Sequence, residues 1–136
     1  MVTSRAQAVI PGDVRRVWGI VTAVEDYADW RSDLSKAEVL DETRFVEYTT
    51  SGYPTTFTTT LLQPLERWEF DLENGNMAGH WVGVFTPKGA ETLVEFTQSV
   101  RLNKFYMRPF VKPYLKKQQA RFIADLRQAV LGGAGA

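Results

Sequence analysis

The sequence predicts an α+β fold in which a curved antiparallel sheet of six to seven strands wraps around one long C-terminal helix. Apolar and polar residues alternate from about residue 34 to residue 102, which is the pattern of half-buried antiparallel strands. One strand and two short helices come before this region, and one long helix follows it. This order of elements lets the sheet curl around the helix, so an apolar cavity is expected between them.

The first 30 residues predict the N-terminal strand and the two short helices. Residues 3–10 alternate between apolar and polar side chains. Asp13 is a favourable residue for the start of a helix. The apolar residues after it recur at the i, i+3, i+4 and i+7 spacing of one helical face, namely Val14, Val17, Trp18 and Val21. A second short helical turn is expected over residues 25–30.

Six further segments alternate in the strand pattern, and a turn separates each from the next. They cover approximately residues 34–39, 44–50, 55–62, 67–73, 80–86 and 92–102. The run Asn74-Gly75-Asn76 is a strong hairpin signal, because asparagine and glycine accept the positive φ of a tight turn. Successive hairpins of this kind predict an antiparallel meander.

The last element is the clearest helix, and it carries Phe110, Leu115, Phe122 and Leu126. At about 100° per residue, one narrow face collects Met107, Val111, Leu115, Gln118, Phe122, Leu126 and Ala129. A proline inside a helix removes a hydrogen bond, so the regular helix is expected to begin near Pro109 or Pro113. Residues 132–136 are rich in glycine and are expected to form a disordered tail, which leaves a single domain over residues 1–131.

Composition excludes several classes of site. The chain has no cysteine, so it has no disulfide, thiol nucleophile or cysteine-based metal site. His80 is the only histidine, which excludes zinc sites built on several imidazoles. Neither a metal nor a cofactor is expected. No segment has the ~20 apolar residues of a membrane span, and none resembles the apolar core of a signal peptide, so a cytoplasmic protein is predicted.

The net charge of zero hides an uneven distribution. From Arg101 onward there are eight Lys or Arg residues and one acidic residue, Asp125, which leaves +7 there and −7 in the first hundred residues. The basic segment is either the solvated face of a helix beside an acidic sheet or a peripheral contact with anionic membranes. Nucleic acid is not an expected partner, because that helix face lacks an aromatic stacking platform. The sequence is compatible with a monomer or a homodimer.

Three parts of the sequence carry a family resemblance: residues 10–18 followed by Tyr27 and Trp30, residues 61–70, and residues 81–87 followed by 91–94. In this order they are similar to the opening, the proline-centred turn between two strands and the penultimate hairpin of SRPBCC domains. This superfamily includes START lipid-transfer domains, birch-pollen-type allergens and polyketide cyclase/dehydrase-like proteins. The resemblance implies a helix-grip fold with an internal cavity. It does not imply a particular ligand.

The strand phase of the family implies which side chains face the cavity. On the central strands these include Trp68, Phe70, Trp81, Gly83, Phe85, Phe96 and Gln98. Gly83 lies between two large rings, so it either leaves room for a ligand or marks a bend in the sheet. Gln98, and Gln118 on the long helix, lie on otherwise apolar faces, where an amide without a partner costs ~1–3 kcal/mol. Each therefore needs a partner, which is the backbone, water, the other glutamine or a bound molecule. The candidate ligand-binding residues are completed by Tyr48, Phe57, Thr59 and Phe122.

Few acids or bases are expected inside the cavity, and no catalytic residue is identified. The carboxylates of the sheet are assigned to its solvated outer face, namely Glu47, Glu69, Asp71, Glu73 and Glu95. His80 points outward in the phase that points Trp81 inward. In the family a proline or a small apolar residue often follows the tryptophan at Trp30, where this chain has Arg31-Ser32-Asp33. That segment is either a solvated loop or a polar gate at the cavity mouth.

These observations favour binding or transfer of a small hydrophobic molecule, such as a lipid, an isoprenoid or a polyketide-like compound. Burial of apolar ligand surface is worth roughly 25 cal/mol per Å², so an aromatic pocket alone can support micromolar binding. One alternative is a cyclase- or dehydratase-type enzyme that acts on a polyketide-like substrate in the same cavity. Another is a protein-interaction module that docks through the basic C-terminal helix.

Overall fold

A seven-stranded antiparallel sheet is the main body of the protein in the computed structural model, which describes residues 1–132. The strands are β1 (Val2–Ile10), β2 (Leu34–Val39), β3 (Arg44–Thr49), β4 (Pro54–Gln63), β5 (Arg67–Glu73), β6 (Met77–Lys88) and β7 (Glu91–Leu102). Their order in the sheet is β1-β7-β6-β5-β4-β3-β2, so every neighbouring pair except β1 and β7 is consecutive in sequence. The prediction of a six- to seven-stranded meander is confirmed.

Over residues 1–132, three helices and two 3₁₀ turns accompany the sheet. They are α1 (Val14–Thr22), a 3₁₀ turn (Val24–Asp26), α2 (Tyr27–Trp30), a second 3₁₀ turn (Phe105–Met107) and α3 (Arg108–Leu131). The predicted helix start is confirmed, because Oδ1 of Asp13 accepts a hydrogen bond from the Arg16 N–H at 2.9 Å. Two short helices after the first strand and one long C-terminal helix are the elements that the α+β helix-grip prediction requires.

Helix α3 begins beside the first of its two prolines and continues through the second. Pro109 lies in the first turn, where a missing N–H costs no helical hydrogen bond. Pro113 lies inside the helix, which therefore has one backbone hydrogen bond fewer. At the other end, the Gly132 N–H donates to the Gln128 carbonyl at 2.8 Å. The rest of the tail that was expected to be disordered, residues 133–136, lies outside the described residues.

The buried face of α3 shares four residues with the predicted face, but Gln119 and Ile123 take the places of Gln118 and Phe122, Val130 is added, and Met107 lies outside the helix. The buried face consists of Val111, Leu115, Gln119, Ile123, Leu126, Ala129 and Val130. Gln119 is buried instead of Gln118 because it bonds to β1: its Oε1 accepts from Ser4 Oγ at 2.7 Å, and its Nε2 donates to the Ser4 carbonyl at 3.0 Å. Phe110 is 73% exposed. Helix α3 thus packs one face against β1 and turns the adjacent face toward the cavity.

Aromatic rings fill much of the space between the sheet and the helices. Phe45 of β3 stacks on Phe57 of β4 with ring centroids 4.8 Å apart. Trp18 of α1 meets Phe85 of β6 edge to face at 5.0 Å. Such ring pairs contribute about 0.5–1.5 kcal/mol beyond the burial of their area. The rings of the core continue into the wall of a cavity.

Candidate ligand cavity

A cavity of about 410 Å³ lies between the concave face of the sheet and helix α3. Its apolar floor is formed by Trp68 and Phe70 of β5, Trp81 of β6 and Phe96 of β7, all of them buried. Residues two apart on a strand share one face, which is why Trp68 and Phe70 both point inward. The ring of Trp81 stacks on Phe70 at 4.6 Å and lies 5.2 Å from Phe96. The floor is therefore one continuous aromatic surface.

Four residues of α3, spaced four apart, form the opposite wall. They are Phe110, Tyr114, Gln118 and Phe122. Side chains at this spacing lie on the same side of a helix. Phe110 and Tyr114 are exposed and stand at the open mouth. Phe122 lies deeper, with its ring 5.5 Å from Trp30 and 5.4 Å from Phe96.

The charged residues of the cavity wall form one group, which we call the Arg31 cluster and which consists of Arg31, Asp33 and Glu47. Nε and Nη2 of Arg31 donate to the two oxygens of Asp33 at 3.2 and 3.0 Å. Nη1 and Nη2 donate to the two oxygens of Glu47 at 3.2 and 3.4 Å. The side chains of Arg31, Asp33 and Glu47 are 6%, 20% and 13% exposed. Both ion pairs are therefore largely shielded from water.

The end of α2 directs Arg31 into the cavity wall. The Arg31 N–H donates to the Tyr27 carbonyl at 2.8 Å and closes the helix, after which the chain becomes extended. The guanidinium packs against two rings, with Cζ 5.1 Å from the centroid of Tyr27 and 4.9 Å from that of Phe122. The N–H and Oγ of Ser32 donate to Oδ2 of Asp125 at 2.8 and 2.9 Å, which ties the segment to α3. The solvated-loop interpretation of Arg31-Ser32-Asp33 is therefore wrong.

Burial and charge shift the pKa values of this region. Burial raises the pKa of Glu47, and the Arg31 guanidinium opposes this rise without cancelling it. Burial alone would lower the pKa of Arg31, but the carboxylates of Glu47 and Asp33 raise it, so the guanidinium stays charged. Burial also raises the pKa of Tyr27, whose hydroxyl donates to the Val21 carbonyl. Glu47 is thus a cavity-lining acid whose proton affinity is increased.

Uncharged polar groups continue from the Arg31 cluster to the cavity mouth. Thr55 of β4 is the register partner of Glu47 of β3. Its Oγ1 accepts a hydrogen bond from Nδ2 of Asn74 at 3.0 Å, and both residues line the cavity. Asn74 is fixed in turn by the hairpin, because its Oδ1 accepts from the backbone N–H groups of Asn76 and Met77. The cavity therefore has an aromatic floor and one polar side.

Most of the candidate ligand-binding residues named from sequence lie on the cavity wall. These are Phe57, Trp68, Phe70, Trp81, Phe96, Gln98, Gln118 and Phe122. Tyr48 does not line the cavity. Because Glu47 faces inward, its neighbour Tyr48 faces outward, where the Lys36 ammonium lies 5.5 Å from its ring. Thr59 also lies outside the wall, since its Oγ1 accepts a hydrogen bond from Nε1 of Trp68 at 3.1 Å and supports that ring from the side.

Phe85 and Gly83 are on the predicted strand face but do not reach the cavity. Phe85 is covered by Trp18 of α1 and belongs to the core. Gly83 leaves no room for a ligand, because a Cβ atom built there would lie 2.4 Å from the ring of Trp81. The space that its missing side chain leaves is filled by that ring. Both residues were expected to line the cavity because they share a strand face with Trp81. On that face, however, Trp18 covers Phe85 and the ring of Trp81 covers Gly83.

Sequence reasoning offered Arg31 and Asp33 as one of two interpretations, a polar gate, and missed Glu47 and its ion pair with Arg31. Glu47 was assigned to the solvated outer face, and this assignment is wrong. A usable signal was present, because Glu47 is two residues from the buried Phe45 and shares its side of β3. The departure from the family pattern after Trp30 was the second signal. Together these two signals point to Arg31 and Glu47, which the fold brings into contact.

The prediction that His80 points outward is confirmed. Its Nδ1 lies 2.7 Å from Oδ1 of Asp71, and its Nε2 lies 2.8 Å from Oε1 of Glu69. Partial burial alone would lower the pKa of His80, but the hydrogen bonds to Asp71 and Glu69 raise it above its ordinary value. These three groups form a surface network on the side of the sheet opposite Trp81.

A sequence model of one protein family, described as polyketide cyclase/dehydrase and lipid transport, matches residues 1–131. None of the curated proteins matches the sequence. A conserved protein from Geobacillus kaustophilus has a similar structure, with a TM-score of 0.84 at 13% identity over 96% of each chain.

Two further solved structures are similar. A START superfamily protein from Mycobacterium smegmatis has a TM-score of 0.84 at 16% identity, over 96% of this chain and 97% of that one. The di-domain ARO/CYC protein BexL of the BE-7585A biosynthetic pathway has a TM-score of 0.81 at 13% identity, over 96% of this chain and 46% of that one. At such identities the likeness establishes the fold alone.

Proposed function

This chain belongs to the polyketide cyclase/dehydrase and lipid transport family of the SRPBCC superfamily, and we propose that it binds a small amphipathic molecule in its cavity. The apolar body of the ligand would lie on the aromatic floor, with its polar end beside the Arg31 cluster. The observation that carries the proposal is that one cavity combines buried aromatic rings with a single shielded charged cluster. Lipids, isoprenoids and polyketide-like compounds all divide into an apolar body and a polar end.

The size of the cavity agrees with this assignment. Its volume of about 410 Å³ lies within the roughly 300–1,000 Å³ of typical small-molecule sites. Burial of about 300 Å² of apolar ligand surface contributes about 7.5 kcal/mol at roughly 25 cal/mol per Å², before the ligand's lost freedom is subtracted. Apolar burial alone therefore supports weak binding, and the polar side adds orientation and selectivity.

The mouth of the cavity suits exchange with an anionic bilayer. The exposed residues at the start of α3 and just before it include the aromatic Phe105, Tyr106, Phe110 and Tyr114 and the basic Lys104, Arg108, Lys112 and Lys117, and we call this set the mouth surface because Phe110 and Tyr114 line the cavity. Exposed rings interspersed with lysine and arginine are the composition of segments that lie at membrane interfaces. No helix within residues 1–132 is long and apolar enough to cross a bilayer. We therefore favour transfer of the ligand between a membrane surface and the cavity.

An enzyme of the cyclase or dehydratase type is the second candidate, and Glu47 is the observation that favours it. A proton-transfer group works best when its pKa is close to the working pH. Burial raises the pKa of Glu47 in that direction, and the residue lines the cavity.

Incubation with an aromatic polyketide-like substrate separates the candidates. Turnover that Glu47→Gln abolishes while binding persists would identify an enzyme, whereas unchanged substrate would identify a carrier.

The binding proposal is tested with the neutral fluorescent probe N-phenylnaphthylamine and a cavity-filling variant. Gln118→Trp places a large ring in the cavity, and Lys116→Trp places the same ring on an exposed position of α3 that lies outside both the cavity wall and the mouth surface. We expect Gln118→Trp to weaken probe binding at least ~10-fold, a change of about 1.4 kcal/mol, and Lys116→Trp to leave it unchanged. Equal binding by both variants would place the probe outside the cavity.

Native mass spectrometry of the purified protein then identifies any molecule that co-purifies.

The membrane contact is tested by flotation with vesicles. The wild-type protein is expected to float with vesicles that contain phosphatidylserine and to remain behind with pure phosphatidylcholine. Phe105→Ser/Tyr106→Ser removes two exposed rings that do not line the cavity, and Leu131→Ser removes an exposed apolar residue at the far end of α3. Only the double variant should lose flotation. Flotation that the double variant retains, or that needs no anionic lipid, contradicts the proposal.

A further inference from the structure

The Arg31 cluster presents hydrogen-bond acceptors to the cavity, and its one cation is already engaged. We infer, on the basis of the proposed function, that the polar end of the ligand is a hydrogen-bond donor, either a hydroxyl or an ammonium group. The same geometry disfavours molecules that end in a carboxylate, a sulfonate or a phosphate. The cavity thus selects among amphipathic molecules by the charge of their polar end.

Both hydrogen-bonding edges of the Arg31 guanidinium are occupied. The edge formed by Nε and Nη2 holds Asp33, and the edge formed by Nη1 and Nη2 holds Glu47, at donor–acceptor distances of 3.0 to 3.4 Å. A guanidinium recognises an oxyanion through these paired donors. An incoming carboxylate or phosphate would have to displace Asp33 or Glu47. The displaced acid would then be left without a partner in a shielded position, which is costly.

Aromatic packing holds Arg31 in this arrangement. The Cζ atom of Arg31 lies 5.1 Å from the ring centroid of Tyr27 and 4.9 Å from that of Phe122, and the side chain is 6% exposed. Its backbone is fixed by the hydrogen bond to α2 and by the anchoring of Ser32 to Asp125. Rotation of the guanidinium toward a ligand would break these contacts together. Arg31 therefore serves as a counter-ion within the wall.

The formal charge of the cavity wall is negative. Arg31 supplies one positive charge, and Asp33 and Glu47 supply two negative charges. No lysine or arginine of α3, over residues 108–131, lines the cavity. A ligand anion would meet this excess negative charge in a medium less polar than water, whereas a hydroxyl or ammonium group meets carboxylate acceptors. The ring faces of the aromatic floor add attraction for a cation.

The other polar groups of the wall do not reverse the preference. Threonine hydroxyls and side-chain amides both donate and accept, so they accommodate either kind of polar end; they are Thr49, Thr55, Asn74, Asn76, Gln98, Gln118 and Gln119. The titratable phenols that face the cluster, Tyr27 and Tyr114, have raised pKa values and stay neutral. Burial also raises the pKa of Glu47, so the test is made at about pH 8, well above the ordinary carboxyl range.

The test compares three molecules of one shape that differ only in the polar end: naphthylmethylamine, naphthylmethanol and naphthoate. Each displaces N-phenylnaphthylamine from the wild-type protein at about pH 8. We expect the amine and the alcohol to displace the probe at concentrations at least ~10-fold lower than naphthoate. Equal displacement by all three, or strongest displacement by naphthoate, would overturn the inference and leave the binding proposal intact. Failure of the probe and of all three molecules to bind would contradict the binding proposal itself.

Variants then locate the preference at the Arg31 cluster. Glu47→Gln removes one negative charge from the wall and should reduce the amine-to-naphthoate preference about 10-fold, with little effect on naphthylmethanol. Glu95→Gln removes a carboxylate from the exposed face of β7 and should leave all three affinities unchanged. A preference that Glu47→Gln leaves intact, or that Glu95→Gln reduces equally, would overturn the assignment to the cluster.

Discussion

The ring of Trp81 covers the backbone of Gly83 so closely that a Cβ atom at position 83 would lie 2.4 Å from Cη2 of that ring. The ring cannot move aside easily, because it stacks on Phe70 and packs against Trp68 and Phe96. Glycine at position 83 therefore allows the aromatic floor to assemble. The room that a missing side chain suggests in the sequence is occupied by the protein itself.

Gly83→Ala is expected to destabilise the protein by ~1–3 kcal/mol, the usual cost of adding a methyl group to a packed core. Urea denaturation gives the free energy of unfolding, and near-ultraviolet circular dichroism reports the displaced tryptophan. Gly19→Ala is the control, because a Cβ atom there meets nothing within 4 Å and the residue is inside α1. That change should be neutral or stabilise by up to ~1 kcal/mol. Equal effects of the two variants would contradict the described packing of Trp81.

Two adjacent glutamines of α3 should respond differently to the same substitution. Gln119→Leu leaves the buried Ser4 hydroxyl and carbonyl without their partner, so a loss of ~1–3 kcal/mol of stability is expected. Gln118→Leu changes a cavity-lining residue that is half buried, and it should alter stability by less than ~0.5 kcal/mol while changing ligand affinity. Urea denaturation and probe titration of both variants check the contrast. A reversed order would mean that α3 is rotated from its described position.

Arg31→Met should destabilise the protein strongly, because it leaves Asp33 and Glu47 without their counter-ion in a shielded site. The expected loss near neutral pH is about 3–5 kcal/mol. Arg44→Met is the matched control, since its ion pair with Asp41 is exposed, at 52% and 43%, and solvent screens it, so its loss should change stability far less. Urea denaturation measures both. Similar small losses in the two variants would show that water screens the Arg31 cluster.

The cost of Arg31→Met should also depend on pH in a defined direction. Burial raises the pKa of Glu47 above its unfolded value, so the stability tied to its protonation is fully present below the unfolded pKa and is lost as pH rises through the folded one. Without Arg31 that rise in pKa becomes larger. The variant should therefore lose stability more steeply than the wild type as pH increases above about 4.3. Parallel pH–stability curves would contradict this account.

His80 should contribute a small stabilisation that disappears in alkaline solution. Its folded-state pKa is raised, so the contribution is fully present below the unfolded pKa of about 6.5 and is lost as pH rises through the folded value. Because the His80 and Asp71 side chains are substantially exposed, His80→Gln should cost less than ~1 kcal/mol at about pH 6 and nothing at about pH 9. Thermal unfolding at the two pH values checks this. A loss that persists at about pH 9 would indicate a packing role.

Patterns among residues close together in the sequence were sufficient to predict most of the fold. The helix start at Asp13 and the hairpin at Asn74-Gly75-Asn76 follow from residues close together in the chain, because caps and turns are local structures. Period-two alternation likewise places Trp68 and Phe70 on one side of their strand. The strand phase of the family that the sequence resembles added Trp81 to the same side of the sheet. These rings now form the cavity floor.

The polar side of the cavity was decided by the tertiary structure. An isolated charge is expensive to bury, so Glu47 was assigned to solvent by default. Its burial is tolerated because Arg31, 16 residues away, supplies a guanidinium from the end of α2. Gln119 is buried for the same reason, through Ser4 at a separation of 115 residues. The sequence by itself determined the order, type and facing of the elements, whereas partners for buried polar groups exist only once distant segments meet.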